Sequence, residues 1–368
     1  MKICLIGDGL ISLTLAKALV NKNAKVFVYY KNNKKISSTN RTIGISSYNM
    51  NFIQDEIIKI NKKYICPINQ IEIYNEENNE KILNFENKKK NLFSIIKSDD
   101  FYSQLLASLK KNSNFKKLKI KNNSFYTNIN RNKNFDLIIN CDASNDIQNK
   151  YFYKKIYKDY KSKAFATVVN HKKTINKKAI QIFTKYGPLA FLPISSTETS
   201  VVYSIKKKNF KDFFHFDESD LIKLINKYNK KYKINYIYKF ESTDLNLNIL
   251  RNYCYKNILA FGDTLHQIHP LAGQGFNMTL RDIKVFIRLM KEKENLGLPI
   301  DSFLYKEFEK KTKHLNFLFA STNDIIYEFF NYDNLYLKNI SKKIFSYLQN
   351  NKKLNNFAVK YADRGLFF

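Results

Sequence analysis

Two short runs carry residue types and spacings that suit chemistry: GDGLIS at 7–12 and GDTLHQIHPLAGQGFNMTLRD at 262–282. In the first, Gly7-x-Gly9-x-x-Ser12 stands between an apolar run, KICLIG, and a stretch of helical spacing, LISLTLAKALV. Glycine at 7 permits a tight turn and glycine at 9 lets the backbone approach a pyrophosphate. The helix start then offers free amides and the positive end of its dipole. The bland alternative is a strand-to-helix turn that binds nothing. In the second run, Gly262 and Asp263 follow the apolar segment NILAF. That puts a carboxylate at the carboxyl end of a strand, where open α/β sheets bind ligands and where it can accept from sugar-like hydroxyls. Pro270, Gly273 and Gly275 then stiffen and open a turn ahead of a helix, so that amides can reach an electron-rich group. With 9 Gly and 5 Pro in 368 residues, the chain concentrates here what it lacks elsewhere. His266 and His269 could form a metal set with Asp263, but Pro270 and the turn deny them i, i+4 helical spacing. No metal is expected, and no base stands out; the two histidines are candidates by composition only.

The elements that must position these runs follow from periodicity. The first thirty residues read strand, helix, strand, a βαβ unit. DDFYSQLLASLKK (99–111) has an Asp start and helical spacing, and FDLIINCD (135–142) is a buried-strand pattern. From about residue 150 the texture turns to strands separated by polar turns: KAFATVVNH, AIQIFTKYGPLAFLPI and TSVVYSIKK. DESDLIKLINKYNKKY (217–232) predicts one amphipathic helix and INYIYKFES a strand after it. NILAFGD (257–263) returns to parallel-strand texture, a helix is expected from about Phe276 to Lys293, and the tail beyond Asp301 reads as helical. The Asn/Lys runs at 31–35, 87–91 and 349–356 read as loops or solvated ends. The parallel-sheet segments thus flank an inserted, mostly β unit.

A net charge of +31 invites nucleic-acid or membrane partners. Only six of the 63 basic residues are Arg, the side chain of bidentate phosphate and base contacts, and no nucleic-acid-binding signature accompanies them. Nucleic acid is therefore set aside. The enrichment in Lys, Asn, Ile, Phe and Tyr has the look of AT-rich coding, and attraction to an anionic membrane surface is compatible with it. Cys4, Cys66, Cys141 and Cys254 are isolated, with no CxxC pair, which suits a reducing cytoplasm. MKICLIG is too short for a signal peptide, and no run approaches the ~18 apolar residues of a spanning helix. The expected location is the cytoplasm, peripheral on the inner face of the cytoplasmic membrane.

The run GDTLHQIHPLAGQGFNMTLRD resembles the GD…HP…AGQG…N…D signature of class A flavin monooxygenases, the para-hydroxybenzoate-hydroxylase-like enzymes, and within them the hydroxylases of ubiquinone biosynthesis. Further matches run in order along the chain: RTIGIS (41–46), CPINQIEIYNE (66–76), SDDFYSQLLASL (98–109), GPLAFLPI (187–194) with SVVYS after it, and STNDIIYEFFNYDN (321–334). The resemblance implies an α/β fold. It comprises a discontinuous, Rossmann-like FAD-binding domain (1–67, 98–165 and 254–300), a mostly antiparallel β-sheet substrate domain (68–97 and 166–253), and a helical C-terminal region (301–368). It further implies that Gly7, Gly9 and Ser12 lie against the FAD pyrophosphate, that Arg41 and Gln104 contact the same cofactor, and that Gly262 and Asp263 reach the ribityl chain. Pro270, Gly273, Gln274, Gly275 and Asn277 would line the isoalloxazine. Gly187, Pro188, Phe191 and Pro193 would face the substrate.

The implied activity is hydroxylation of the ring of a polyprenylated phenol by O2 through a flavin 4a-hydroperoxide, with NADPH or NADH as donor. A place in a ubiquinone-biosynthesis protein assembly is implied too. Two departures stand out. Tyr29 and Tyr30 occupy the end of the second strand, where a carboxylate usually holds the ribose. In CDASNDIQN, Asp142 of the family's DGxxSxxR element is kept, but Ala143, Asp146 and Asn149 replace its Gly, Ser and Arg. The second departure leaves the electron donor open and keeps alive the alternative of a non-catalytic member of the assembly; a non-hydroxylating flavoprotein reductase or oxidase on the same fold is the other alternative. The absence of Trp excludes the tryptophan motif of flavin-dependent halogenases.

Overall fold

The computed structural model describes residues 1–31, 41–76, 81–86, 91–122, 124–129, 134–212, 217–270, 273–331, 351, 360 and 363. The Asn/Lys runs at 31–35, 87–91 and 349–356 fall mostly outside these residues. So does the loop half of 321–334.

The N-terminal βαβ unit forms as its periodicity predicts. Strand Lys2–Ile6 pairs in parallel with Lys25–Tyr30 on one side and Leu137–Asn140 on the other, and helix Leu10–Val20 crosses between. The six-stranded sheet runs Cys254–Tyr255, Ile258–Ala260, Leu137–Asn140, Lys2–Ile6, Lys25–Tyr30, Phe115–Lys119, and is parallel apart from its first pair. Its central strands are apolar because they are covered on both faces; Ile3, Leu5, Ile138 and Leu259 are fully buried, whereas the outer strand Phe115–Lys119 turns lysines outward. The sheet is assembled from segments more than two hundred residues apart, as the return of parallel-strand texture near 257 predicts.

A second, nine-stranded and mostly antiparallel sheet is built around one 17-residue strand, Lys155–His171. This strand pairs with Glu198–Lys206 on one edge and Glu241–Leu250 on the other, and a bulge between Asp159 and Ser162 bends it. It runs unbroken across residue 165, so the boundary placed there from sequence falls within one hydrogen-bonded strand. A third sheet, Thr42–Ser46, Phe93–Lys97 and Cys66–Ile68, ties together segments on both sides of the boundaries drawn at 67 and 97. The expected strand INYIYKFES divides into Ile234–Ile237 and the start of Glu241–Leu250.

The helices start where their caps dictate. Asp217 accepts from the Ser219 and Asp220 amides and opens Glu218–Tyr228. The long helices Gln274–Asn295 and Phe303–Asn331 pack on the parallel sheet through Phe261, Phe286 and Phe308, whose centroids lie 5.5 to 5.9 Å apart. The Tyr305 hydroxyl donates to the Ile138 carbonyl at 3.0 Å and accepts from its amide at 2.7 Å, fastening the last helix to a central strand. Among the described residues, no helix is long and apolar enough to cross a membrane.

Gly187 begins strand Gly187–Pro193 at φ +140°, and a Cβ there would lie 2.1 Å from the Ser204 carbonyl oxygen. The next strand leaves no room for a side chain. Gly187→Ala should therefore destabilise the protein by ~2–4 kcal/mol, through backbone strain plus displacement of the pairing strand. Urea unfolding with an unchanged m-value is the check.

Candidate functional site

The first glycine run has the geometry of an anion cradle. Gly7 takes φ +104°, and a Cβ on it would come within 3.1 Å of the Asp142 Cβ. Only glycine lets strand and turn pass so close to the CDASN segment. Gly9 caps helix Leu10–Val20 without any side-chain hydrogen bond, no acidic residue follows in the first turn, and a Cβ built on Gly9 meets nothing within 4 Å. Open space in front of uncapped amides is what a phosphate group requires. Ser12 is buried one turn on, and Gly262 (φ +70°) abuts Ile11, whose Cγ2 would be 2.6 Å from a Cβ. That contact sets exposed Asp263 beside the cradle. Burial pushes the Cys141 thiol, behind the turn, up to about 12, so it packs there without thiolate chemistry.

The second run builds a matching N-terminus. Gly273 caps Gln274–Asn295 in the left-handed region at φ +65°, again with no side-chain cap and no acid in the first turn, and Gly275 faces open space. A Cβ on Gly273 would lie 3.3 Å from the Gly44 amide, so the turn presses against strand Thr42–Ser46. Asn277, 1% exposed, secures the contact: its Nδ2 donates to the Gly44 carbonyl at 2.7 Å, and its Oδ1 accepts from the Ser46 amide at 2.8 Å. Two glycine-capped, uncapped-amide helix starts thus flank Gly262–Asp263, and this donor set fits a dinucleotide with an electron-rich ring. Residues 271 and 272 lie outside the description.

Pro270, Gly273, Gln274 and Asn277 line one end of an apolar cavity of about 300 Å³. One wall comes mainly from alternate residues of three neighbouring strands, Ile71 and Ile73, then Ala179, Gln181 and Phe183, then Pro188, Ala190 and Leu192, with Ile180 at its margin. Of the strand residues expected to face it, Pro188 does. Phe191 packs on the opposite face against helix Glu218–Tyr228, and Gly187 and Pro193 share its parity. Successive side chains of a strand alternate, so one strand cannot turn 188 and 191 to the same side. Ala190 and Leu192 are the wall residues instead. The opposite face has its own cavity of about 560 Å³ beneath that helix, remote from both glycine turns.

Three further placements differ from expectation. Arg41 does not turn to the cradle; its Nε and Nη2 bind Glu241 at 3.1 Å and Thr243 at 2.8 Å, with the side chain 55% exposed. Gln104 accepts from the Asn61 amide at 3.2 Å and holds a loop. Near the second strand's end, which has no carboxylate of its own, an acid arrives from the glycine turn. Lys117 lies over the Tyr30 ring at 4.6 Å, near the Tyr102 hydroxyl (3.3 Å), and pairs with Asp8 of the glycine turn at 2.9 Å. Asp8 lay inside the quoted fingerprint, but only register Val28↔Lys117 reveals its partner.

The two histidines part company. His266 is consumed structurally: its Nε2 is 2.6 Å from Asp282 Oδ2, and Asn316 donates to the other oxygen at 3.0 Å. His269 lines the cavity, stacked on Tyr327 at 3.9 Å. In the CDASNDIQN segment, Asp142 accepts from the Ser144 amide and hydroxyl while Asn145 caps Asp146–Tyr151. The departing residues Ala143, Asp146 and Asn149 are all exposed.

Residues 134–362 match the squalene epoxidase family model. The chain belongs to the squalene epoxidase family, a family of FAD-dependent monooxygenases. It is similar to the mitochondrial ubiquinone biosynthesis monooxygenase COQ6 of Dictyostelium discoideum, 22% identical over 212 residues covering 49% of this chain and 43% of that protein. It is also similar to the 3-demethoxyubiquinol 3-hydroxylase of Escherichia coli, 27% identical over 150 residues covering 40% and 38%. The matches thus span less than half the length of these relatives. The p-nitrophenol 4-monooxygenase PnpA of Pseudomonas putida shares the fold, with a TM-score of 0.77 over 98% of each chain at 10% identity.

Burial pushes the His269 imidazole from 6.5 down to about 3. The fold keeps it neutral where the unfolded chain protonates it, so stability is lost as pH falls below 6.5. The facing Tyr160 and Tyr327 phenols are pushed upward and do not titrate in this window. Between pH 7 and pH 5, His269→Phe should lose less stability than the parent by about 2 kcal/mol in urea unfolding.

Proposed function

We propose that this chain is an FAD-dependent monooxygenase that hydroxylates the aromatic ring of a polyprenylated phenol in ubiquinone biosynthesis, with O2 as co-substrate. The observation that carries the reading is the apolar cavity opening directly on the Pro270–Asn277 turn. A ring bound there lies against the helix start that suits the isoalloxazine, walled from water by strands of two sheets.

Bound FAD supplies the redox chemistry, accepting electrons from a nicotinamide donor and activating O2. The chain's own residues bind, orient and exclude water. Gly7, Gly9, Ser12 and the first-turn amides of Leu10–Val20 hold the pyrophosphate, and Asp263 takes the ribityl hydroxyls. Pro270, Gly273, Gln274, Gly275 and Asn277 frame the ring, where the helix dipole and amides favour negative charge. Asp8, fixed by Lys117, accepts from the adenosine ribose in place of a strand-end carboxylate. The prenyl tail requires a membrane as its source. Phe303, Phe317, Leu318, Ile325 and Ile326 are exposed on the last helix, and the basic surface attracts anionic lipid; both support a peripheral location. Membership of a ubiquinone-biosynthesis assembly fits the same reading. A second reading, a flavoprotein whose electrons come from a protein partner, is favoured by one observation, the exposed and altered Ala143, Asp146 and Asn149.

The first test is the visible spectrum of the protein with FAD, followed by anaerobic NADPH. Bleaching supports direct reduction, a flavin that stays oxidised points to the partner, and no bound flavin overturns the proposal. Gly9→Val should leave the unliganded protein's stability within ~0.5 kcal/mol, because a Cβ there meets nothing, yet weaken FAD at least about tenfold. Asp8→Asn should weaken FAD several-fold and leave FMN affinity unchanged, since FMN has no adenosine ribose; equal losses for both would remove Asp8 from the ribose site.

A further inference from the structure

We infer that His269 holds the ring hydroxyl of the substrate, its neutral imidazole accepting a hydrogen bond from the phenol O–H inside the cavity beside the Pro270–Asn277 turn. The ligand's identity as a phenol rests on the proposed function; the residue's availability rests on geometry alone.

His269 is 1% exposed, yet neither Nδ1 nor Nε2 has a hydrogen-bond partner among the described residues. Buried polar atoms are almost always paired, and leaving one unpaired costs ~1–3 kcal/mol, so unpaired nitrogens on a residue that lines a cavity point to a ligand. The other buried histidines among the described residues are not orphaned. His171 engages the Lys172 carbonyl at 2.9 Å and Thr199 Oγ1 at 3.0 Å, and His266 engages Asp282.

The ring is held without using its nitrogens. It stacks on Tyr327 at 3.9 Å and 27°, meets Tyr160 edge-on at 5.3 Å, and its backbone carbonyl accepts from Asn323 Nδ2 at 3.1 Å. Every restraint is aromatic or on the main chain, so the polar edge is fixed in orientation and left unspent. Burial keeps the imidazole neutral near neutral pH. A neutral ring offers one acceptor nitrogen and one N–H, and it is too weak a base to take the phenol's proton outright. His269 therefore orients the hydroxyl and selects for it, because a cavity with a buried, unpaired acceptor penalises a ring that cannot donate.

The probes are 4-pentylphenol and its methyl ether, 4-pentylanisole, titrated calorimetrically into the FAD-loaded full chain. The parent should bind the phenol about tenfold more tightly than the ether, a difference worth ~1.4 kcal/mol. His269→Phe, which keeps the stack on Tyr327, should bind both within about twofold, and His269→Gln, which restores an acceptor, should recover part of the preference. Independently of any variant, the nitrogen-15 shift of the His269 imidazole should move on adding the phenol and stay with the ether. No preference in the parent, no phenol binding, a preference that survives His269→Phe, or an unmoved imidazole shift each overturns the inference. Failure of the flavin reading is seen separately, as a protein that stays colourless with FAD while the phenol preference is still measured.

Discussion

The buried amide of Asn277 is the interaction on which the surrounding architecture depends. Its oxygen accepts from the Ser46 amide and from Asn49 Nδ2 at 2.9 Å; its nitrogen donates to the carbonyls of Gly44 and, at 3.2 Å, Gly273. All four hydrogen-bonding positions of one side chain are used, with no water needed. Those bonds join a helix start to a strand of the three-stranded sheet, and that sheet in turn forms one side of the cavity. The close pass of Gly273 over Gly44 follows, as does the left-handed cap that leaves the first amides of Gln274–Asn295 without a side-chain partner. Packing and hydrogen bonding at one point therefore set the chemistry available at the next.

The two sheets meet through the same stretch of chain. After Asp263 the backbone joins the edge of the nine-stranded sheet as His266–Gln267, paired with Asn248 and Ile249, before turning at Pro270. The His266–Asp282 pair ties this edge to the following helix. A carboxylate-binding histidine and a free one, three residues apart, thus divide the work between rigidity and recognition. The division arises from burial beside different neighbours, an acid in one case and two phenols in the other.

Charge is handled in the same local way. The second strand ends on Tyr29 and Tyr30 without a carboxylate, and Asp8 of the glycine turn stands nearby, paired with Lys117, which itself rests on an aromatic face. A half-buried charge is costly to leave without a partner. The same arrangement recurs at Lys158, paired with Asp324 and Glu328 over the Tyr160 ring, and at Lys227, paired with Glu76 over the Tyr228 ring; exposed pairs of this kind contribute little individually to stability.

Much of this was legible in the amino-acid sequence. The glycine spacings, the βαβ opening, the Asp217 cap and the parallel-strand texture near 257 are local signals, each decided by backbone freedom or by hydrophobic period, and the family match covers residues 134–362. The sequence by itself therefore determined the elements, their order, and the two turns that make the cradle. Only the tertiary structure decided which side chains share a space. Strand parity sent Phe191 away from the cavity and put Ala190 and Leu192 on its wall; strand register brought Lys117 to Asp8; Glu241 drew Arg41 away. The choice between His266 and His269 was likewise invisible in composition, because it depends on contacts with Asp282 and Tyr327, and such long-range neighbours are set by packing rather than by spacing along the chain.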